Sequence, residues 1–180
     1  MDVGRKYFGM NEPDLHVYVG DGRTFMRTTA QTYDVVAVDA FQQPYMPFQL
    51  TTREFFEEIK AHLSPTGVVT VTTGHTCTDY RLVQAFVNTL AQVFPSVYTF
   101  DVADTFNTEV VATMRPTTLA TFQQNLQAIP PGTMLGTVAA ETLPVMKASA
   151  PERGGIVFTD DRAPVEQLTD QLILNYIRCK

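Results

Sequence analysis

The stretch 33–39, which reads YDVVAVD, decides the fold class of this chain. It is a continuous run of apolar, mostly β-branched residues with little polar alternation, typical of a central parallel strand buried on both faces. The sequence FQQPYMPFQL follows at 41–50, and its two prolines exclude regular structure there. The sequence therefore predicts a buried strand that presents an acidic side chain, Asp39, at its carboxyl end.

Segments with strand and helix patterns alternate on both sides of this strand. The pattern predicts further strands at 15–19, 68–73, 97–102 and 110–114, and helices at 2–9, 22–29, 52–63 and 79–93. Later helices are predicted at 117–128, 133–143 and 164–178, with a loop-like segment at 144–156. This order indicates an α/β three-layer sandwich with a mostly parallel sheet and an antiparallel hairpin at one edge. We expect one domain, 1–180, in which 117–180 is a mainly helical extension.

Composition restricts the possible function classes. The chain has 180 residues, of which 44% are hydrophobic and 18% charged, and this indicates a folded globular protein. A formal net charge of −6 and scattered basic residues argue against nucleic-acid binding. The apolar runs are too short to cross a bilayer and the N-terminus lacks the apolar core of a signal peptide, so we expect a cytoplasmic protein that binds no membrane.

Two acidic residues stand where an open parallel sheet binds its ligands, at the carboxyl ends of strands. In Gly20-Asp21-Gly22 the glycines let the backbone turn tightly beside a ligand, and Asp21 can accept a hydrogen bond from an exocyclic amine such as adenine N6. Alternatively, this tripeptide is a plain turn in which Asp21 caps the next helix. Asp39 can hold an ammonium group and take its proton, or it can cap neighbouring backbone amides.

Other polar residues give weaker signals. His75 and Cys77 make a poor zinc site on their own, so we expect no metal and assign His75 no special role. Asp160 or Asp161 is expected to cap the last helix, and a part in closing an active site is the weaker alternative. The sequence contains neither a GxGxxG motif nor a P-loop.

Three motifs occur in a specific order: GDGRTFM at 20–26, YDVVAVDAFQQPYMPFQLTTREFFEEIKAHLSPTGVVTV at 33–71 and FTDDRAPVEQL at 158–168. Together they resemble the polyamine aminopropyltransferases, the spermidine synthases and spermidine-synthase-like proteins. The resemblance implies a Rossmann-like, methyltransferase-type domain that moves an aminopropyl group from decarboxylated S-adenosylmethionine to a small-molecule amine, with Asp39 as general base. It assigns cofactor binding to Gly20, Asp21, Gly22 and Leu50, and substrate binding to Gln42 and Tyr45.

Two departures from the family pattern qualify this implication. Gln42 stands where spermidine synthases usually carry a second aspartate, three residues after the base, which puts putrescine in doubt as the amine. The family's first two strands, its glycine-rich cofactor loop and its N-terminal hairpin region would precede residue 1. Because those strands normally pair with 15–19 and 33–39, we expect that the sheet rearranges, that the chain forms a homo-oligomer or pairs with a partner chain, or that it is part of a longer protein.

Two alternatives to aminopropyl transfer stay open. One is a methyltransferase of the same fold, which would use S-adenosylmethionine. The other is a non-catalytic or incomplete domain that needs a partner chain. Binding of methylthioadenosine is the observation that separates both enzymes from the incomplete domain.

Overall fold

The computed structural model describes residues 2–41 and 44–177. In chain order its helices are α1 (Asp2–Tyr7), α2 (Gly22–Thr28), α3 (Arg53–Ala61), α4 (Arg81–Leu90), α5 (Leu119–Gln127), α6 (Met134–Thr142) and α7 (Val165–Ile177). The strands are β1 (Tyr33–Val38), β2 (Leu63–Gly74), β3 (Ser96–Asp101), β4 (Asn107–Thr113) and β5 (Lys147–Ser149). A short 3-10 turn, Phe48–Leu50, lies between β1 and α3.

The strands form a mixed five-stranded sheet in the order β1-β2-β4-β3-β5. β1 pairs with β2 in parallel, with Val36 opposite Val69 and Val38 opposite Val71. The other three pairings are antiparallel. The predicted α/β class is confirmed. The predicted antiparallel hairpin is formed by β3 and β4. It does not lie at the edge of the sheet, because β5 pairs with β3 and is itself the edge strand.

The predicted strand at 15–19 is wrong: this segment has no regular structure. Its residues Tyr18 and Val19 are 65% and 86% exposed. A strand is stable only where its backbone groups find partners, and no described strand lies beside this segment. The same gap leaves β1 at the edge of the sheet, which explains why the parallel share of the sheet is smaller than expected.

Most other elements form where the sequence predicts them. Thr52 caps α3 by accepting a hydrogen bond from the backbone N–H of Phe55 at 3.2 Å, and α1 is followed by Gly9 in the left-handed region at φ +66°. The predicted strand 68–73 is longer in the structure, since β2 starts at Leu63. The loop-like segment 144–156 contains the short strand β5.

The hydrophobic core lies between one face of the sheet and the helices α3 and α4. Fully buried side chains meet there from strand and helix alike: Phe56, Ile59, Val69, Val71, Phe86, Leu90 and Val110. α7 packs against α4 and extends this layer. On the opposite face α5 covers Tyr98 of β3, whose ring lies 5.1 Å from that of Phe122. No described helix is long and apolar enough to span a membrane.

Candidate functional site

A groove of about 390 Å³ runs along β1 and is bounded by α2 and the 3-10 turn. Its lining is mostly apolar and comprises Gly22, Phe25, Met26, Tyr33, Val35, Val36, Ala37, Val38, Asp39, Ala40, Leu50 and Phe55. Three residues assigned from the sequence, Gly22, Asp39 and Leu50, therefore meet in one groove although they come from three different elements. The structure places them where the strand-end rule predicts a ligand.

Asp39 lies at the carboxyl end of β1, directly after Val38, which is 6% exposed. Its own side chain is exposed, and among the described residues no hydrogen bond or ion pair occupies the carboxylate. A carboxylate in this position can accept hydrogen bonds from a ligand without first losing a partner within the chain.

Asp21 is the N-cap of α2, as the alternative interpretation of the tripeptide predicts. Its Oδ1 accepts a hydrogen bond from the backbone N–H of Thr24 at 2.8 Å. This backbone hydrogen bond is the main reason why the pKa of Asp21 is lowered. Gly20 and Asp21 are exposed in the turn that leads into Gly22, so capping is observed and a second role in ligand binding stays a prediction.

Of the two residues assigned to substrate binding, the structure describes Tyr45 alone. The Tyr45 hydroxyl donates a hydrogen bond to Oδ1 of Asp170 at 2.7 Å, which joins the loop to α7 and raises the pKa of Tyr45. Gln42 lies outside the described residues. A role for either residue in binding a substrate stays a prediction.

Arg23 is a residue that the sequence reasoning missed. Its side chain is 8% exposed and lies between two carboxylates, with Nη1 2.7 Å from Oδ1 of Asp160 and Nη2 2.8 Å from Oε1 of Glu58. The hydrogen bond that Arg23 donates to Asp160 is the main reason for the raised pKa of Arg23, and it also lowers the pKa of Asp160. Because 137 residues separate the partners Arg23 and Asp160, no local spacing signals this contact.

Of the two residues expected to cap the last helix, Asp160 or Asp161, Asp160 instead directs its carboxylate to Arg23 and Thr52. Its Oδ1 also accepts a hydrogen bond from the Thr52 hydroxyl at 2.7 Å, and its backbone N–H donates to Glu54 at 3.0 Å. These contacts hold the segment before α7 against the start of α3 and against α2. Since α2 begins with Gly22, the network fixes one wall of the groove.

Comparison with known proteins gives this chain a family. A family model described as the spermine/spermidine synthase domain matches residues 1–119. A probable polyamine aminopropyl transferase from Bifidobacterium longum is 32% identical over 96% of this chain and 43% of its own length. A polyamine aminopropyltransferase from Vibrio vulnificus is 31% identical over 62% of this chain and 38% of its length. The chain thus spans less than half the length of these relatives.

Solved structures show the same fold at low sequence identity. A probable spermidine synthase from Corynebacterium glutamicum superposes with a TM-score of 0.66 at 17% identity, over 88% of this chain and 59% of that structure. Human methyltransferase-like protein 13, solved in complex with SAH, gives a TM-score of 0.56 at 21% identity, over 79% of this chain and 64% of that structure. The shared architecture is Rossmann-like and of the methyltransferase type. Since the family model covers well over half of the residues, this chain belongs to the spermine/spermidine synthase family.

Proposed function

We propose that this chain is part of an aminopropyltransferase that moves an aminopropyl group from decarboxylated S-adenosylmethionine to a small-molecule amine. One observation carries the proposal: Asp39 lies in the same groove as Gly22 and Leu50. A general base must lie within hydrogen-bond reach of the proton that it takes from the acceptor amine, and a carboxylate beside the groove of the donor supports this role.

The groove suits the adenosyl part of such a donor. Phe25, Met26, Leu50 and Phe55 offer apolar surface to a flat ring, and Gly22 has no side chain to exclude it. Asp21, which precedes Gly22 in the chain, has a lowered pKa and is thus charged at neutral pH, so it can accept a hydrogen bond from an exocyclic amine. These residues would hold the donor, which supplies the aminopropyl group on a cationic sulfonium.

Asp39 would act on the acceptor. An alkylamine is protonated near neutral pH, and only its free form has the electron pair needed to attack the carbon next to the sulfonium. The carboxylate of Asp39 would hold the ammonium group and take one of its protons, which frees the electron pair of the nitrogen. The free amine then forms the new C–N bond as the C–S bond breaks. The electron pair of the broken bond goes to sulfur, which leaves a neutral thioether. A carboxylate also tolerates the positive charge of the sulfonium.

Methyl transfer is the second candidate, and one comparison favours it. Putrescine N-methyltransferase 2 from Nicotiana tabacum is 29% identical over 63% of this chain and 35% of its own length. The two reactions differ in which group leaves the sulfonium: a methyl group in one and an aminopropyl group in the other. Mass analysis of the amine product after incubation with each donor distinguishes an aminopropyl adduct from a methyl adduct.

The open edge of β1 supports a proposal about assembly. Among the described strands only β2 pairs with β1, and Val35 at this edge is 59% exposed. An unpaired strand edge is a template for pairing with another segment. We therefore propose that a partner chain, a second copy or a further segment of a longer protein completes the sheet. Light scattering after size exclusion shows whether the 180-residue chain is monomeric.

Titration with methylthioadenosine tests the site before any turnover is measured. Saturable binding with a stoichiometry of one per chain is the expected result. If calorimetry detects no binding at millimolar concentrations, the groove of this chain does not by itself hold an adenosyl compound, and the incomplete-domain alternative is preferred to both enzymes.

Asp39→Asn tests the role of the base. We expect turnover to fall by roughly a hundredfold or more, because positioned proton transfer contributes about 10²–10⁴ to a rate, while methylthioadenosine binding is retained. Asp34→Asn is the matched control, since Asp34 lies on the same strand and only accepts a hydrogen bond from Ser64 at 2.6 Å. Full turnover in Asp39→Asn, or an equal loss in both variants, would refute the proposed role.

A further inference from the structure

A second cavity lies at the loop that follows Asp39. It has a volume of about 260 Å³ and lies between the loop after β1, the end of β2, α4 and α7. Asp39 and Ala40 line the groove, whereas Phe41 lines this cavity. Two residues of extended chain span at most about 7 Å, so a short alkyl chain held at Asp39 can reach into the cavity.

Two buried polar atoms in this cavity have no hydrogen-bond partner among residues 2–41 and 44–177. Thr73 is 1% exposed, and its hydroxyl oxygen forms no hydrogen bond. The side chain of His75 is 9% exposed, and its Nε2 is likewise unpaired. Thr73 and His75 are two residues apart at the end of β2, and both line the cavity. Buried polar atoms are rarely left unsatisfied, so each of them indicates a missing partner.

The hydrogen bonds of His75 define what that partner must do. Nδ1 lies 2.9 Å from the carbonyl oxygen of Thr76, and because a carbonyl only accepts, Nδ1 is the donor. In the neutral ring Nε2 is then an acceptor, and it requires a donor. The Thr73 hydroxyl can both donate and accept. One ligand hydroxyl would satisfy both atoms.

The remaining lining argues against a charged group at this end of a ligand. The described lining residues include no carboxylate and are mainly apolar: Phe41, Met46, Leu82, Phe86, Phe106 and Tyr176. Asp101, which does not line the cavity, has its Oδ1 3.9 Å from Nε2 of His75, and its carboxylate already accepts hydrogen bonds from Thr108 and Tyr80. Moving an ammonium group from water into such a site is costly when no carboxylate lines it.

We infer that this cavity selects an acceptor amine whose far end is neutral and carries a hydroxyl group, an amino alcohol rather than a diamine. The inference rests on the proposed function in so far as Asp39 holds the reacting amine. The cavity volume of about 260 Å³ is slightly below the roughly 300–1,000 Å³ of sites for drug-sized ligands. A cavity of this size suits a short aliphatic amine.

The test is a binding titration of the 180-residue chain, without any adenosyl compound, followed by the NMR signals of the His75 ring. The probes are aminobutanol, butylamine and putrescine, which share one carbon chain and differ only at the far end. We expect aminobutanol to shift the His75 signals and to bind about tenfold more tightly than either of the others. Equal affinities, tighter binding of putrescine, or no shift with any probe up to high millimolar concentration would overturn the inference.

Two neighbouring variants locate the contact. Thr73→Val removes the unpaired hydroxyl at nearly constant shape and should reduce aminobutanol binding to the level of butylamine. Thr72→Val is the matched control, because Thr72 faces away from the cavity and donates to Glu109 at 2.7 Å on the opposite face of the sheet. Unchanged binding in Thr73→Val contradicts the inference, as does an equal loss in both variants. Failure of the proposed function would appear instead in the methylthioadenosine titration.

Discussion

Two segments of similar composition adopt different structures in this chain. The segments 15–19, LHVYV, and 33–38, YDVVAV, are both rich in β-branched and aromatic residues. Only the second is a strand, and it pairs with β2 in register from Val35 to Val38. The first lies beside none of the strands that the structure describes. The difference shows that β-propensity describes how well a residue fits a sheet that already exists, and not whether a sheet is there.

The same contrast divides the molecule into two parts. The packed side consists of β2 and β4 with α3 and α4, where Val69, Val71 and Val110 are fully buried. The open side consists of 15–21, α2 and the outer edge of β1. The groove with Asp39 lies on the open side, so the candidate site is supported from one direction by the core and from the other mainly by the Arg23 network.

Removing that network should have the largest effect. We expect Arg23→Met to lower the free energy of unfolding by roughly 3 kcal/mol, because it leaves the carboxylates of Glu58 and Asp160 without their buried partner. Arg27→Met is the control: Arg27 pairs with the same Glu58 but is 57% exposed, and an exposed pair contributes less than about 1 kcal/mol. Urea denaturation measures both variants. Equal losses would show that burial of Arg23 has no special importance.

A pair of valine truncations compares the two sides directly. Val69→Ala on the packed side should cost about 2 kcal/mol, since it opens a cavity around a fully buried side chain. Val35→Ala, at 59% exposure on the open edge, should change stability by less than about 0.5 kcal/mol. A cost for Val35→Ala as large as that of Val69→Ala would mean that the edge is covered in solution. Repeating the measurement over a range of protein concentrations then shows whether a second copy covers it.

Acid should weaken the link between α2 and the segment before α7. The hydrogen bond from Arg23 lowers the pKa of Asp160 below its unfolded value of about 4. The resulting stabilisation is complete above that unfolded value and is lost as the pH falls through the folded one. Asp160→Asn should therefore be less stable than the parent at pH 7, and the gap should shrink toward pH 3. The gap at pH 7 should be much smaller when Arg23→Met is already present. A gap that is independent of pH contradicts this.

Hydrogen exchange should reveal the smallest difference. Amides of β2, which is paired on both sides, should exchange slowest, and those of 15–19 should exchange fastest. β1 should be intermediate, because alternate amides of an edge strand point to solvent. Slow exchange throughout β1 would indicate that its outer edge has a partner. Mass analysis of peptides from the three segments is sufficient to rank them.

Local patterns predicted much of this fold. The strand β1 and the helices α3 and α4 follow from patterns within a few residues, and the structure confirms these elements. The expectation that β1 is a central strand buried on both faces is wrong, because β1 lies at the edge of the sheet and Val35 is 59% exposed. Two errors have one cause. The segment 15–19 and the three-residue strand β5 are decided by the presence of a neighbouring strand, which no local pattern contains.

Some residues of the candidate site could be predicted from the sequence, and its long-range contacts could not. Gly22, Asp39 and Leu50 follow from strand ends and the family resemblance, and they line one groove. Arg23 with Asp160, and Tyr45 with Asp170, join residues more than 100 positions apart. The unpaired Thr73 and His75 were equally invisible, because an unsatisfied atom is a property of packing. Long-range polar contacts depend on the final arrangement of the helices, which the sequence pattern does not specify.

The open edge of β1 also has a kinetic consequence. A ligand in the groove contacts α2, the 3-10 turn and one face of an edge strand, so one side of it stays in water. Differences in affinity between related complexes lie mostly in dissociation rates. A ligand that is exposed to water on one side should therefore dissociate quickly. A segment that covers the open edge of β1 would then lower the dissociation rate of the ligand far more than it would raise the association rate.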